Sequence, residues 1–258
     1  MTTSPSLPHL KLDNISIRFG GLHALSNVSF DVHSGEIVGL IGPNGAGKTT
    51  AFNVACGFIS PNEGAVSYPA LGQTSLKPHQ LARAGIARTL QGVGLFDHMT
   101  VLENVMAGGQ SRAHGGVVAG LLGLRSAARS EHSLRADALA QLDRLGISQF
   151  AAQLPSAIPY GIAKKVSVAR SLVTNPSLLL LDEPASGLDE NELSEFANLI
   201  TQLRETMAVL LVEHNMDFVM PLVDRLVVLN FGQVIATGTP HEVRANPDVL
   251  AAYLGVDQ

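Results

Sequence analysis

Hydrophobic and polar residues alternate in two runs near the start of the chain. The runs lie within residues 12–32, and Gly20-Gly21 separates them. A period of two predicts strands with one buried face, and adjacent glycines predict a turn between such strands. The pattern therefore predicts an antiparallel β region at the N-terminal end.

Three later runs are continuously apolar instead of alternating. They cover residues 37–41, 178–181 and 208–212. Continuous apolar runs of this length are typical of strands buried on both faces of a parallel sheet. Between the last two runs, apolar residues recur at helical spacing, namely Leu193, Phe196, Ala197, Ile200 and Leu203. A helix between two buried strands indicates a strand–helix–strand crossover. We therefore expect an α/β fold with a doubly wound, mostly parallel sheet.

The middle of the chain, residues 92–160, has helical rather than strand periodicity. One apolar series at helical spacing consists of Leu134, Ala138, Leu142 and Leu145. Gly146 follows it directly, as expected at a helix C-terminus. Residues 226–237 form two strand-like runs around Phe231-Gly232, which predicts a hairpin. We expect a single domain, residues 1–258, with an inserted helical subdomain at residues 92–160.

Composition supports one globular unit and argues against nucleic acid as a partner. The 258 residues are 46% hydrophobic, which is enough for one substantial core. The formal net charge is -5, from 17 basic and 22 acidic residues. Such a balance offers no broad cationic surface for a phosphate backbone.

The N-terminal sequence predicts that the chain remains in the cytoplasm. The first 14 residues carry neither a cationic n-region nor an apolar h-region of a secretory signal. The most membrane-like stretch, residues 115–124, is shorter than the roughly 18 to 20 apolar residues that span a bilayer. Cys56 is the single cysteine, so an internal disulfide is impossible and an ordinary buried thiol is expected. Any membrane association must therefore come through partners.

One segment has the G-x-x-x-x-G-K-[ST] spacing of a phosphate-binding loop. It consists of Gly42, Pro43, Asn44, Gly45, Ala46, Gly47, Lys48 and Thr49. It follows a buried run and precedes a helical run that begins at Thr50, and this context argues against a chance glycine-rich turn. Backbone N–H groups and the helix N-terminus favour phosphate, Lys48 adds a positive charge, and Thr49 offers a hydroxyl to Mg²⁺. The sequence therefore predicts a nucleoside triphosphate site with Mg²⁺.

A second motif follows the apolar run at residues 178–181. Asp182 and Glu183 come directly after this run. Alone, such a pair is more often a solvated strand end. Beside a phosphate loop, we expect Asp182 to face Mg²⁺ and Glu183 to face the water that attacks the γ phosphate.

Further segments distinguish among the protein classes that share these two motifs. Gln91, Tyr160-Gly161 within residues 158–161, Asp189 within residues 186–189, and His214 follow in the order of an ABC ATPase, which the chain resembles along almost its whole length. P-loop kinases and GTPases do not need this series. The resemblance implies a P-loop NTPase fold with a mostly parallel RecA-like sheet, an N-terminal antiparallel β subdomain and an inserted α-helical subdomain. It also implies ATP and Mg²⁺ as ligands.

Within that family, the chain is similar to the ATP-binding subunits of branched-chain amino acid transporters. The similar segments are residues 18–22, 88–91, 95–101, 227–232 and 246–255. The resemblance implies import of branched-chain or related amino acids through separate transmembrane permease subunits, with a substrate-binding protein as an indirect partner. The chain would then lie peripherally on the inner face of the plasma membrane. The alternative is a soluble ABC ATPase of the iron–sulfur assembly type, which would share every ATP-site residue.

The resemblance also implies roles at matching positions. Phe19 would stack on adenine, Gln91 would sense Mg²⁺ and the γ phosphate, and His214 would bind the γ phosphate and help to hold Glu183. Asp189 would contact the opposite ATP site in a dimer. Taken singly, Phe19 could equally be a core aromatic, Gln91 would be a solvated loop residue, and His214 would more often be structural.

The resemblance further implies a head-to-tail dimer with a second ABC ATPase subunit, identical or different. Tyr160 and Gly161 would cap the γ phosphate bound by the other chain. The common family signature Leu-Ser-Gly-Gly-Gln is altered here, because Pro159 carries neither a hydroxyl nor an N–H group. The missing bond to a charged phosphate is worth about 1.5 to 3 kcal/mol. We hypothesise that this signature serves the partner's ATP less well, so that the two sites of a heterodimer hydrolyse unequally.

Overall fold

The computed structural model describes residues 7–89, 92–110 and 125–254. Gln91 and residues 115–124 therefore lie outside the described residues. The N-terminal strands form an antiparallel sheet in the order β2-β1-β4-β5, as the alternating pattern predicted. Its strands are β1 (Leu10–Phe19), β2 (Leu22–Val32), β4 (Glu63–Tyr68) and β5 (Gln73–Thr74).

The second sheet has the order β10-β9-β3-β8-β7-β6. Its strands are β3 (Ile37–Ile41), β6 (Ile86–Arg88), β7 (Leu178–Asp182), β8 (Ala208–Val212), β9 (Arg225–Asn230) and β10 (Gln233–Gly238). Neighbouring strands pair in parallel from β9 to β6, and β10 pairs antiparallel with β9. The predicted parallel sheet and terminal hairpin are therefore confirmed. Strands β4, β5 and β6 were not predicted from the sequence.

The described helices cover the faces of the parallel sheet and form most of the middle region. They are α1 (Lys48–Ala55), α2 (Pro78–Leu81), α3 (Val101–Gly108), α4 (Arg125–Arg144), α5 (Tyr160–Leu172), α6 (Glu190–Arg204), α7 (Met216–Leu222), α8 (Pro240–Arg244) and α9 (Pro247–Leu254). The helix after the phosphate loop begins at Lys48, two residues before the predicted Thr50, because Gly47 occupies its N-cap position.

Among the described residues of 92–160, the regular structure is helical, with α3 and α4 packed on each other and on α5. Thr100 starts α3 with a capping box, in which its hydroxyl accepts the N–H of Glu103 at 3.2 Å. This arrangement agrees with a helical insertion. The division of the chain into such a subdomain stays a prediction.

The parallel sheet divides the core into two layers. In β7, Leu179 and Leu181 face the layer of α5 and α6, whereas Leu178 and Leu180 face α1 and the antiparallel sheet. All five residues of β7 and of β8 are buried, which explains their continuous apolar runs. The carboxyl ends of β3, β7 and β8 consequently meet at one edge, between the two layers.

Within residues 7–89, 92–110 and 125–254, every helix is too short or too polar to cross a lipid bilayer.

Tyr68 joins the antiparallel sheet to the helix that follows the phosphate loop. Its side chain is fully buried, and its hydroxyl donates to the carbonyl oxygen of Ala55 at 2.7 Å. Removing one partner of a buried hydrogen bond leaves the other unsatisfied. We expect Tyr68→Phe to lower the free energy of unfolding by about 1 to 2 kcal/mol, measured by urea denaturation of the full chain. The exposed Ser60→Ala should stay within about 0.5 kcal/mol of the wild type, and equal stability of both variants would contradict the prediction.

Candidate functional site

The phosphate loop connects β3 to α1 and depends on two of its glycines. Gly42 and Gly47 have φ values of 152° and 101°. A Cβ atom on Gly42 would overlap the carbonyl oxygen of Leu229, and one on Gly47 would lie 2.8 Å from the carbonyl oxygen of Ala24. β2 and β9 therefore press on the loop from outside, which leaves room for glycine alone at these two positions.

Lys48 lies inside the loop that precedes it. The residue is 9% exposed, and its Nζ donates to the carbonyl oxygens of Gly42 at 2.7 Å and Pro43 at 2.9 Å. Burial lowers the pKa of the ammonium group, and the nearby carboxylate of Glu183 opposes that shift. An ammonium has three donors. One donor therefore remains for an anion in the loop.

Asp182 ends β7 at the same edge of the sheet. The residue is 7% exposed, and its N–H donates to the hydroxyl of Thr89 at 3.3 Å. Burial raises the pKa of its carboxyl group, Arg88 lowers it, and Glu183 raises it. Nη2 of Arg88 lies 4.0 Å from Oδ2 of Asp182, and the guanidinium stacks 4.6 Å from the ring centroid of Phe58. A buried anion thus has a fixed cation on one side.

Glu183 and His214 follow adjacent strands and lie close together. Nδ1 of His214 is 3.8 Å from Oε1 of Glu183, and the two side chains are 58% and 30% exposed. Glu183 is a non-glycine residue with a positive φ, 47°. Both side chains face solvent beside the buried Asp182 and Lys48, so the edge combines fixed buried charges with two accessible acid–base groups.

The other predicted residues of β1, the phosphate loop and the start of α1 differ in exposure. Phe19 ends β1 and is 52% exposed, so it is not a core aromatic, while its stacking on adenine stays a prediction. Thr49 is exposed and Thr50 is half-buried in the first turn of α1. Asn44 and Gly45 are exposed on the loop, whereas Ala46 is buried.

The signature segment begins α5. Pro159 occupies the N-cap position with φ -58° and ψ 154°, and Tyr160 is 44% exposed. Gly161 is buried, and a Cβ atom there would overlap the carboxylate of Glu192. The ring of Tyr160 packs on Gly187, since a Cβ atom at that glycine would lie 2.8 Å from the ring. The start of α5 is therefore fitted against the segment that leads into α6.

Asp189 has a visible structural role within the chain. It is the N-cap of α6, where its carboxylate accepts the N–H of Glu192 at 2.9 Å and its own N–H donates to Glu192 at 3.1 Å. The residue is exposed, so contact with a second chain stays a prediction.

Sequence reasoning missed three charged residues of this site. Arg88 approaches Asp182, as described above. Lys164 is 4% exposed, and its Nζ donates to the carbonyl oxygen of Glu183 at 3.4 Å. Glu213 is fully buried and accepts the N–H of Ala185 at 2.6 Å. A signal for Glu213 existed, because a glutamate directly after a five-residue buried run is unusual unless it has partners.

Family comparisons agree with the geometry of the site. Residues 25–186 match the profile of the ABC transporter family, and residues 233–258 match that of the branched-chain amino acid ATP-binding cassette transporters. The high-affinity branched-chain amino acid transport ATP-binding protein LivG of Salmonella typhimurium is 42% identical over 252 residues, which cover 97% of this chain and 99% of LivG. The similarity therefore extends over nearly the full length of both chains.

Two solved structures share the fold. An ATP-binding cassette of an ABC transporter in its ADP conformation has a TM-score of 0.83 at 30% identity, covering 97% of this chain and all (100%) of the solved chain. A dimeric ATP-binding cassette in a post-hydrolysis state, bound to ADP and Pi, has a TM-score of 0.73 at 26% identity, covering 90% and 98%.

The two loop glycines Gly47 and Gly45 make a matched pair. Alanine at either position meets a positive φ, 101° and 80°, but only at Gly47 would its Cβ approach a backbone oxygen, since Gly45 has open space. We expect Gly47→Ala to weaken nucleotide affinity about tenfold or more, because strain of about 1 to 2 kcal/mol adds to the clash. Gly45→Ala should lose less nucleotide affinity. Displacement of a fluorescent ATP analogue measures both, and equal affinities would contradict the steric argument.

Proposed function

Because the chain belongs to the ABC transporter family, we propose that it binds and hydrolyses ATP to drive the import of branched-chain amino acids through separate permease subunits. One observation carries this function. The phosphate loop around Lys48 meets Asp182, Glu183 and His214 where the adjacent strands β3, β7 and β8 end. Ligands of open α/β sheets bind at such carboxyl ends.

The comparisons favour transport over a soluble ATPase of the iron–sulfur assembly type. The C-terminal residues 233–258 match a profile of branched-chain amino acid cassettes, and the similarity to a transport protein covers 97% of the chain. A soluble ATPase would share the phosphate loop, but it would not need this C-terminal match.

Binding of ATP follows from the loop and the groups around it. The free donor of Lys48 and the N–H groups at the start of α1 would bind the β and γ phosphates. Phe19, exposed at the end of β1, would stack on adenine, an interaction worth about 0.5 to 1.5 kcal/mol beyond the area that it buries. The loop residues Pro43, Asn44 and Ala46 would contribute backbone contacts.

The donor set fits Mg²⁺ bound together with ATP. The described part of the chain contains no group of three or more His, Cys, Asp or Glu side chains that could hold a metal ion by themselves. Mg²⁺ in nucleotide sites needs fewer protein ligands, because substrate phosphates and water complete its shell. Thr49 and Asp182 would hold the ion. The family resemblance implies that Gln91 would sense the ion together with the γ phosphate. When bound, the ion supplies positive charge beside the β and γ phosphate oxygens.

Glu183 and His214 would carry the chemistry. Glu183 would orient the attacking water and accept its proton, a role that requires hydrogen-bond reach to that water. His214 would hold a γ phosphate oxygen while remaining near Glu183, since their side-chain atoms are 3.8 Å apart. The buried charges of Lys48 and Asp182 stay fixed throughout, which stabilises developing charge without reorganisation.

A second ATPase subunit would complete each site, head to tail. The observation that supports this is the exposed N-terminal end of α5, with Pro159 and Tyr160 at the surface and a helix dipole that favours anions. Gly161 and Asp189 would line the same seam. A γ phosphate held by both chains stabilises the closed dimer, and its loss removes that differential contact. The permease subunits, and through them a substrate-binding protein, would respond to this opening and closing at the inner face of the plasma membrane.

The assignment of the base is tested by Glu183→Gln. The amide keeps the shape of the side chain but cannot accept the proton, so we expect ATPase activity and ATP-driven uptake to fall about 100-fold or more. Nucleotide affinity should be retained. The measurement compares reconstituted transporters, with the exposed Glu205→Gln as a control that retains wild-type rates. Wild-type hydrolysis by Glu183→Gln would show that the base lies elsewhere.

The altered signature is tested by placing a hydroxyl at position 159, where the common family signature has serine. We propose that Pro159 weakens capping of the partner's γ phosphate, so Pro159→Ser should raise the steady-state ATPase rate of the assembled transporter severalfold. The missing bond is worth about 1.5 to 3 kcal/mol. Pro159→Ala is the matched control, because it removes the ring without adding a hydroxyl. Equal rates for the serine and alanine variants would reject the hydroxyl as the cause.

A further inference from the structure

A fully buried carboxylate, Glu213, lies between the apolar strand β8 and His214. The residue is 0% exposed. Its Oε1 accepts the N–H of Ala185 at 2.6 Å, and its Oε2 accepts the N–H groups of His214 at 3.1 Å and Asn215 at 3.4 Å. Burial raises the pKa of the carboxyl group, and these three bonds lower it. Each oxygen thus holds a different loop.

The two loops that Glu213 joins are those of the proposed water-activating residues. Ala185 comes two residues after Glu183, and His214 comes directly after Glu213. The two loops are far apart in sequence, since the Glu213–Ala185 bond spans 28 residues. This side chain therefore adds a link between the loop of Glu183 and that of His214, beyond the pairing of β7 with β8.

Glu183 needs such a constraint because its backbone is strained. Its φ of 47° lies in the left-handed region, which non-glycine residues adopt only when the surrounding structure holds them there. The N–H of Glu183 donates to the carbonyl oxygen of Val212 at 3.0 Å, and Ala185 is held by Glu213. Strand β8 and the residue that follows it thus restrain the strained peptide from both sides.

A buried cation completes the arrangement. Lys164 of α5 is 4% exposed, and its Nζ donates to the carbonyl oxygen of Glu183 at 3.4 Å. Burial lowers the pKa of its ammonium group, and the nearby carboxylates of Glu213 and Glu183 oppose that shift. Its ammonium also lies 5.6 Å from the ring centroid of Tyr160, at the N-terminal end of the same helix. The cluster of Glu213 and Lys164 therefore contacts Glu183, His214 and the signature helix together.

We infer that Glu213 is a positioning residue for hydrolysis, which with Lys164 holds Glu183 and His214 in their working arrangement and joins them to the helix that caps the partner's ATP. The inference rests on the proposed roles of Glu183 and His214. Glu213 itself is too buried to contact substrate. It acts on the rate through the two loops, and binding of ATP in the phosphate loop does not depend on it.

Glu213→Gln tests this role, because an amide fills the same space but replaces one acceptor oxygen by a donor. We expect the kcat for ATP in the assembled transporter to fall about 10- to 100-fold, as small misplacements of reacting groups do. The KM for ATP and the affinity of the purified chain for a fluorescent ATP analogue should change less than about twofold. Glu242→Gln is the matched control, since it removes an exposed carboxylate that accepts a backbone N–H from Thr239 at 2.8 Å; it should keep the wild-type kcat.

Two results would overturn the inference. An unchanged kcat in Glu213→Gln would exclude a positioning role, and a parallel loss of kcat, nucleotide affinity and melting temperature would indicate a general structural role. Glu183→Gln, measured beside it, separates the two proposals. If Glu183→Gln is inactive while Glu213→Gln is active, the positioning role alone fails, whereas an active Glu183→Gln overturns the assignment of the base on which it rests.

Lys164 gives a second route that does not depend on folding of Glu213→Gln. Lys164→Met removes the cation and should lower kcat about tenfold with unchanged nucleotide affinity, whereas Lys164→Arg keeps the charge and should retain at least about half of the wild-type rate. A wild-type kcat in Lys164→Met would overturn the cluster as a positioning device.

Discussion

The parallel pairing of β3, β8 and β7 determines where the phosphate-facing groups lie. Leu40 and Asp182 both pair with Val212 of β8, so the three strands end in register. The next residues of each strand then enter loops at one edge, where the phosphate loop, the acidic pair and the histidine loop meet. Because hydrogen-bonded ladders fix this register, they bring side chains that are distant in sequence to the same edge of the sheet.

The site buries the charged side chains of Lys48, Lys164, Asp182 and Glu213, and each is held by backbone groups or by an opposite charge. Lys48 bonds to two loop carbonyls, Asp182 faces Arg88, and Glu213 accepts three backbone N–H groups. An unpaired buried charge is costly, so these partners explain why the interior tolerates them. They also make the site rigid, which is what a preorganised site for phosphate chemistry requires.

The helix α5 connects the proposed cap of a partner's nucleotide to the proposed base of its own chain. Its first residues, Pro159 and Tyr160, are exposed and suited to a partner's nucleotide, whereas Lys164 one turn later reaches the backbone of Glu183 in its own chain. A rigid helix transmits displacement along its axis, so a change at its exposed end reaches the proposed base. In the proposed dimer, a change at Pro159 would therefore affect the proposed base of its own chain as well as the cap of the partner's ATP.

The sequence by itself determined the sheet type, the phosphate loop, the acidic pair Asp182 and Glu183, and the family. Each of these depends on short segments of neighbouring residues whose spacing follows a physical rule. It did not reveal β4, in which only Val66 and Tyr68 are buried, or β5 and β6, which are two and three residues long. The tertiary structure alone decided that Arg88 faces Asp182, that Lys164 reaches Glu183 and that Glu213 holds Ala185. These contacts join segments tens of residues apart, and a local pattern contains no information on which buried charges the register of the sheet will bring within hydrogen-bond distance.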